Sequence, residues 1–133
     1  MMAIPQGKLL MRTRPMPSDT NPEGDVLAGW LMSQMDASGA MLAYEIAQGR
    51  VATIAVTGIT FFQPVRIGDI VCCYGQCVKI GNTSMQIKIE VWVHHLMGDG
   101  THHLVTEAIF TFVAIDEQGV PRPISHTIKE QIL

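Results

Sequence analysis

Long apolar runs are missing from this chain. None approaches the roughly 20 consecutive apolar residues that a helix needs to cross a bilayer, so no membrane partner is expected. Charge is scarce too, at 16% of residues with a net charge of −3, which leaves no basic face for a phosphate backbone. That argues against nucleic acid as the main partner, but not against a small anionic ligand met by a few local cations. With 47% of residues hydrophobic and so few charged, an intrinsically disordered chain is excluded. The phosphate-cradling glycine loops GxGxxG and GxxxxGKS/T are absent, and Ser38 sits in DASGA rather than GxSxG. Neither a nucleotide loop nor a serine triad is expected.

Cysteine is limited to Cys72, Cys73 and Cys77. An odd number without CxxC spacing fits reduced, structural thiols in a reducing compartment. On a strand Cys73 and Cys77 share one face and Cys72 points to the other. The run MMAIPQGKLLMRTR places its basic residues after a short apolar stretch broken by Pro5, which is not the order of a signal peptide. A cytoplasmic protein is expected. Four of the five histidines lie in HHLMGDGTHH. If Gly98 and Asp99 form the turn, His94 faces His103 and His95 faces His102, on opposite faces of the hairpin. If Asp99 and Gly100 turn instead, those pairs are lost. Either way each face offers at most two imidazoles, short of a three-ligand catalytic zinc site, so no metal is expected.

What is present reads as one domain of 133 residues, with 116–133 as a C-terminal tail lacking a clear period. Lys8 to Arg14 is a short extended segment stopped by Pro15 and Pro17. The stretch SDTNPEGD collects turn and cap residues, with Asn21 before Pro22 as one candidate helix N-cap and Asp25 as another. Val26 to Ala47 has the length and composition of a helix and is apolar nearly all round, which predicts a helix buried on every side. After Arg50 the period changes to two, giving strands over Val51–Phe62, Ile70–Ile80, Ser84–His95 and His102–Ile115. Short turns between them predict antiparallel neighbours. The expected architecture is α+β: a curved antiparallel sheet wrapped around one long central helix, the hot-dog fold in outline.

Between Asp25 and Glu45 the only charged residue is Asp36. A carboxylate inside a buried helix costs several kcal/mol unless it is paired or hydrogen-bonded. Asp36 is therefore either an edge or interface ion pair, or a general base or nucleophile activated by desolvation. Ala37, Ser38, Gly39 and Ala40 beside it are small enough to let another backbone or a slender ligand approach. Asn21 is the second candidate, as a cap or as an amide that holds water or a carbonyl beside Asp36. On one continuous helix the two would lie roughly 22 Å apart, so a shared substrate would require them to come from two subunits. Among the cations, Lys79 opens KIGNTS, which with its turn amides and the hydroxyls of Thr83 and Ser84 suits a phosphate or pantetheine contact.

The runs Met16 to Arg50 and Val56 to Val93 resemble the YciA-type acyl-CoA thioesterases of the hot-dog superfamily. The pattern DTNxxGDxxxGWxxxxMD is carried by residues 19–36, and the resemblance extends from about Leu9 to Ile115. It implies the hot-dog fold, a two-fold homodimer with a continuous sheet, and often a trimer of dimers. It also implies hydrolysis of fatty acyl-CoA to free CoA and a carboxylate, with CoA as part of the substrate and no separate cofactor. By this resemblance Asp36 is the catalytic aspartate and Asn21 the asparagine acting from the opposite subunit. Gly24, Gly29 and the strand around Thr60 are implied acyl and thioester contacts, and Arg50 with the Lys79, Thr83 and Ser84 turn implied CoA contacts. Gln63 and Ala55 depart from the family's usual residues. A non-catalytic acyl-CoA sensor on the same fold is the alternative reading. A hot-dog dehydratase is disfavoured because the helix holds no histidine.

Overall fold

The computed structural model describes residues 4–95, 100–125 and 128–129. Strand β1 spans Lys8–Thr13 and is followed by a 3-10 turn at Pro17–Asp19 and helix α1 over Ala28–Ala47. Four strands follow: β2 Val51–Phe61, β3 Ile70–Ile80, β4 Ser84–His94 and β5 His102–Ala114. They form one antiparallel sheet in the order β1-β3-β4-β5-β2, and all five strands touch α1. This is the expected α+β, hot-dog arrangement.

Three expectations need correcting. First, the helix starts at Ala28 with Leu27 as its N-cap and no side-chain cap, so neither Asn21 nor Asp25 caps it. The Asn21 side chain is occupied in a tight turn of its own, and the bridge between Thr20 and Val26 closes that turn before the helix begins. Second, β2 and β3 are not neighbours. Residues 62–69 carry the chain across, and β2 pairs with β5 at the far edge. Third, α1 is not buried on every side. Leu31, Met35, Gly39, Ala43 and Ile46 form a buried stripe, while Met32, Met41 and Tyr44 are exposed, Tyr44 by 56%. The sheet of one protomer covers one side of the helix.

The buried stripe meets the inward residues of the central strands. Met85, Ile87, Ile89, Val91 and Val93 on β4 alternate inward as the period of two predicted, with Phe110 and Phe112 beside them on β5. Gly39 marks a close approach: a Cβ there would stand 3.1 Å from the Phe112 ring and 3.3 Å from Ile89 Cδ1. The small residues after Asp36 thus serve the sheet at Gly39. Cys73 shares this core and touches Ser38, and burial pushes its thiol up to about 11. Burial also raises the thiols of Cys72 and Cys77.

At its C-terminus α1 ends with Gln48 in a left-handed conformation, φ 54°. Arg122 closes that end, donating from Nη2 to the Ala47 carbonyl at 2.7 Å and from Nε to the Ile115 carbonyl at 3.2 Å. The early part of the tail is thereby fastened to the domain, and Ile124 is buried against it.

The histidine hairpin adopts neither of the two expected registers. His94 pairs with His102 and Val93 with His103, after a shift between Val91 and Trp92 that offsets the strands. The turn residues 96–99, on which both expectations rested, lie outside the described residues. His95 stacks near His103 at a centroid distance of 4.9 Å, its Nδ1 2.8 Å from Asp69 Oδ1 and its Nε2 3.3 Å from His103 Nδ1. A carboxylate only accepts, so His95 carries its proton on Nδ1. In the neutral pair His103 Nδ1–H then donates to His95 Nε2. That leaves His103 Nε2 buried as a bare acceptor, without a partner among the described residues. Burial first, then the neighbouring His95, lowers the pKa of His103 below its ordinary 6.5, with Asp69 acting the other way. No group of three His, Cys, Asp or Glu side chains among the described residues is arranged to hold a metal ion.

Two outcomes follow from this packing. Gly39→Ala gains about 1 kcal/mol of helix propensity, but overpacking against the fully buried Phe112 and Ile89 costs more. A net loss of about 1 kcal/mol is expected, read as a lower denaturant midpoint. His103, with its folded pKa below the unfolded 6.5, binds fewer protons folded than unfolded. Its contribution to stability is complete above about pH 6.5 and is lost as pH falls through the folded value. The melting temperature should therefore decline below pH 6.5, and His103→Asn should flatten that decline.

Candidate active site

Asp36 lies in the middle of α1, on the flank between the buried stripe and the exposed face. The hydroxyl of Thr53, on the adjacent strand β2, donates to Asp36 Oδ1 at 2.6 Å. One carboxylate oxygen is thus fixed, and Oδ2 makes no hydrogen bond among the described residues. Thr53 was not among the residues the sequence singled out. A threonine in a β-branched strand carries no signal of its own, and the helix–strand pairing that brings it to Asp36 is a tertiary fact.

Asn21 begins the turn that precedes α1. Its side-chain oxygen accepts from the backbone N–H groups of Glu23 at 3.1 Å and Asp25 at 3.0 Å. Those two donors fix which end of the amide is oxygen, and the NH2 group is left pointing elsewhere with both hydrogens to give. Gly24 closes the same turn at φ +86°, where a side chain would be strained, and donates its N–H to the Asn21 carbonyl at 3.0 Å. Asn21 and Asp36 are not on one continuous helix, which removes the premise of the 22 Å separation. The rise from Ala28 to Asp36 alone is about 12 Å, and within the protomer no hydrogen bond links the two residues.

Gly29 lies in the first helical turn, exposed, with nothing among the described residues within 4 Å of where a side chain would begin. The helix start is without a side-chain cap, which leaves its first backbone N–H groups unpartnered by any side chain among the described residues. Beside them is a cavity of about 310 Å³ whose walls include Leu31, Phe61, Phe62, Pro64 and Val65. Thr60 is close to this wall on β2, and its carbonyl accepts from the Thr106 hydroxyl at 2.5 Å. Thr53 is the β2 threonine that reaches Asp36.

The remaining candidates lie at the other end of the sheet. Arg50 donates from Nη1 to the carbonyls of Asp116 at 3.3 Å and Glu117 at 3.1 Å, so its guanidinium holds the tail. Lys79 is exposed at the end of β3, just before the turn that Gly81 N–H closes on the Ser84 carbonyl at 2.8 Å. Thr83 belongs to that turn and accepts through its carbonyl from Ala114 N–H at 2.8 Å. Arg50 and the Lys79–Ser84 turn therefore flank the end of β5, far along the sheet from the Asn21 turn at its other end.

Comparison with known proteins places the chain in a family. Residues 23–96 match the family model described as the thioesterase superfamily. The acyl-CoA thioester hydrolase YciA of Salmonella typhimurium is 56% identical over 122 residues, 90% of this chain and 92% of that protein. HI0827, described as a hexameric broad-specificity acyl-coenzyme A thioesterase, superposes with a TM-score of 0.91 at 50% identity, covering 98% of this chain and 91% of its own. That enzyme has also been solved as an aspartate-to-alanine mutant. The hexameric thioesterase y2039 of Yersinia pestis superposes with a TM-score of 0.88 at 52% identity, covering 92% of this chain and 99% of its own. With the helix, sheet order and residues 19–36 all in place, the chain belongs to the YciA-type acyl-CoA thioester hydrolases of the thioesterase superfamily.

Proposed function

We propose that this chain hydrolyses fatty acyl-CoA thioesters to free CoA and a carboxylate, with Asp36 as general base or nucleophile. The observation that carries the reading is the asymmetric tethering of Asp36: Thr53 holds Oδ1, and Oδ2 is left to take a proton from water or to attack the thioester carbonyl. Asn21, supplied by a partner subunit, orients that water or carbonyl through the NH2 group its turn leaves unused. The uncapped N–H groups at the start of α1 polarise the carbonyl as negative charge develops on its oxygen. The open position at Gly29 gives the thioester room to come close to that backbone. The apolar cavity lined by Leu31, Phe61 and Phe62 takes the acyl chain. Of the CoA-contacting candidates, Lys79 with Thr83 and Ser84 is the group that offers an exposed cation beside turn amides, since Arg50 is engaged with the tail.

The active form in this reading is a homodimer, assembled as a trimer of dimers. Strand β2 is an eleven-residue sheet edge exposing Ile54 and Val56, and α1 exposes Met41 and Tyr44 nearby in the chain's order. A long apolar edge left open invites pairing with another copy, and relatives of about half identity are described as hexameric. We place the enzyme in a reducing, cytoplasmic setting, in keeping with Cys72, Cys73 and Cys77 all being free.

The test is CoA release from acetyl-, butyryl-, hexanoyl-, lauroyl- and palmitoyl-CoA. Asp36→Asn, which keeps the shape and removes the base, should lower kcat by about a thousandfold while the protein stays folded. Near-normal turnover in that variant would remove Asp36 from the chemistry, and binding without turnover in either protein would favour an acyl-CoA sensor. Thr53→Val, which keeps the branched shape and removes the donor, should lower kcat by about tenfold at little change in KM. A wild-type kcat in Thr53→Val would show that Asp36 needs no such tether.

A further inference from the structure

Asn21 to Asp25 of the turn put no side chain into the core, although Val26, which closes the turn, does, and the reading above asks the turn to hold an amide in place. Its support comes from the segment between β2 and β3. Val26 N–H donates to the Val65 carbonyl at 2.7 Å, Ile67 N–H to the Gly24 carbonyl at 3.1 Å, and Arg66 Nη1 pairs with Asp25 Oδ1 at 2.9 Å. Asp25 N–H is one of the two donors, with that of Glu23, that fix the Asn21 side chain.

That segment is itself held by Asp69, buried at 7% exposure. One oxygen of Asp69, Oδ2, accepts from Arg66 N–H at 3.0 Å, while the other, Oδ1, faces His95 Nδ1 at 2.8 Å. His95 sits just past the end of β4, where its N–H donates to the Thr101 carbonyl at 3.1 Å, and its ring is backed by His103 of β5. The connection therefore runs from the base of the β4–β5 hairpin through His95 and Asp69 to Arg66, then through Asp25 to Asn21.

We infer that Asp69, His95 and His103 form a strut that positions the Asn21 turn, making His95 and Asp69 positioning residues for the hydrolysis although neither touches the substrate. The inference rests on the proposed role of Asn21. The Asp69 bond to Arg66 N–H belongs to a local turn that Asp69 N–H also closes on the Arg66 carbonyl at 3.1 Å, and the second carboxylate oxygen ties that turn to the hairpin. Here one carboxylate oxygen serves each, so a loss at His95 is passed to Arg66 and from there to the turn.

The experiment is steady-state hydrolysis of a single acyl-CoA by the full chain and four variants, with melting temperatures alongside. His95→Ala should lower kcat by about tenfold with KM within about twofold of wild type, because the groups are misplaced and not removed. His95→Asn, whose amide can donate from the position of Nδ1, should recover most of that loss. The double variant Asn21→Ala/His95→Ala should be no slower than Asn21→Ala alone, since His95 acts only through Asn21. A wild-type kcat in His95→Ala, or a double variant in which the two losses multiply, overturns the strut while leaving Asn21 in its role. A wild-type kcat in Asn21→Ala removes that role and the strut with it. Where His95→Ala does not fold, Arg66→Met at the exposed pair with Asp25 enters the same cycle, and a kcat equal to wild type there also overturns the strut.

Discussion

The structure depends on how closely α1 lies on the sheet. Gly39 lets the helix axis settle until Phe112 and Ile89 fill the space a methyl group would take. Asp36 stands three positions earlier, so the same approach sets its height above β2 and brings it within hydrogen-bonding reach of Thr53. A helix lifted by a fraction of an ångström would lose part of its dispersion contacts and stretch the Thr53 hydrogen bond at the same time. Packing and candidate chemistry are thus set by one close approach.

The helix itself is only half used within the protomer. Its buried stripe satisfies the sheet, and the opposite face carries Met32, Met41 and Tyr44 to the surface. Apolar side chains all round a helix signal that every side will be covered, but they do not say by which molecule. That is why burial on all sides was the natural expectation and why one chain does not fulfil it. The exposed edge at β2 lies open in the same protomer, and both are surfaces a second copy can cover.

The elements were legible because their periods are strong. Alternation from Met85 to Val93, and the unbroken run from Val26 to Ala47, place β4 and α1 within a residue or two. Asp36 was legible as a lone charge in an apolar helix, and Asn21 and Gly24 as members of a long pattern. The failures share a cause. Asn21 before Pro22 has the composition of a helix cap, but a side-chain amide can serve a tight turn equally well, and the bridge from Thr20 to Val26 selects the turn. Thr53, Asp69 and Arg122 matter through partners 17 to 75 positions away, and no local spacing encodes those meetings. The hairpin register slipped because a shift between Val91 and Trp92 moves every later pair, and such a shift leaves no mark in the alternation around it.

The three thiols bear on what such a protein can tolerate from its own chemistry. A thioester hydrolase of this kind releases a thiol at each turnover, and oxidation of that product gives a disulfide able to exchange with protein cysteines. Exchange requires a thiolate that the disulfide can reach. Cys72 and Cys73 are buried, Cys77 is half-buried, and all three are held in the protonated form well beyond neutral pH. The fold thereby keeps its own sulfur out of the redox traffic its product would create, with no need to dispense with cysteine.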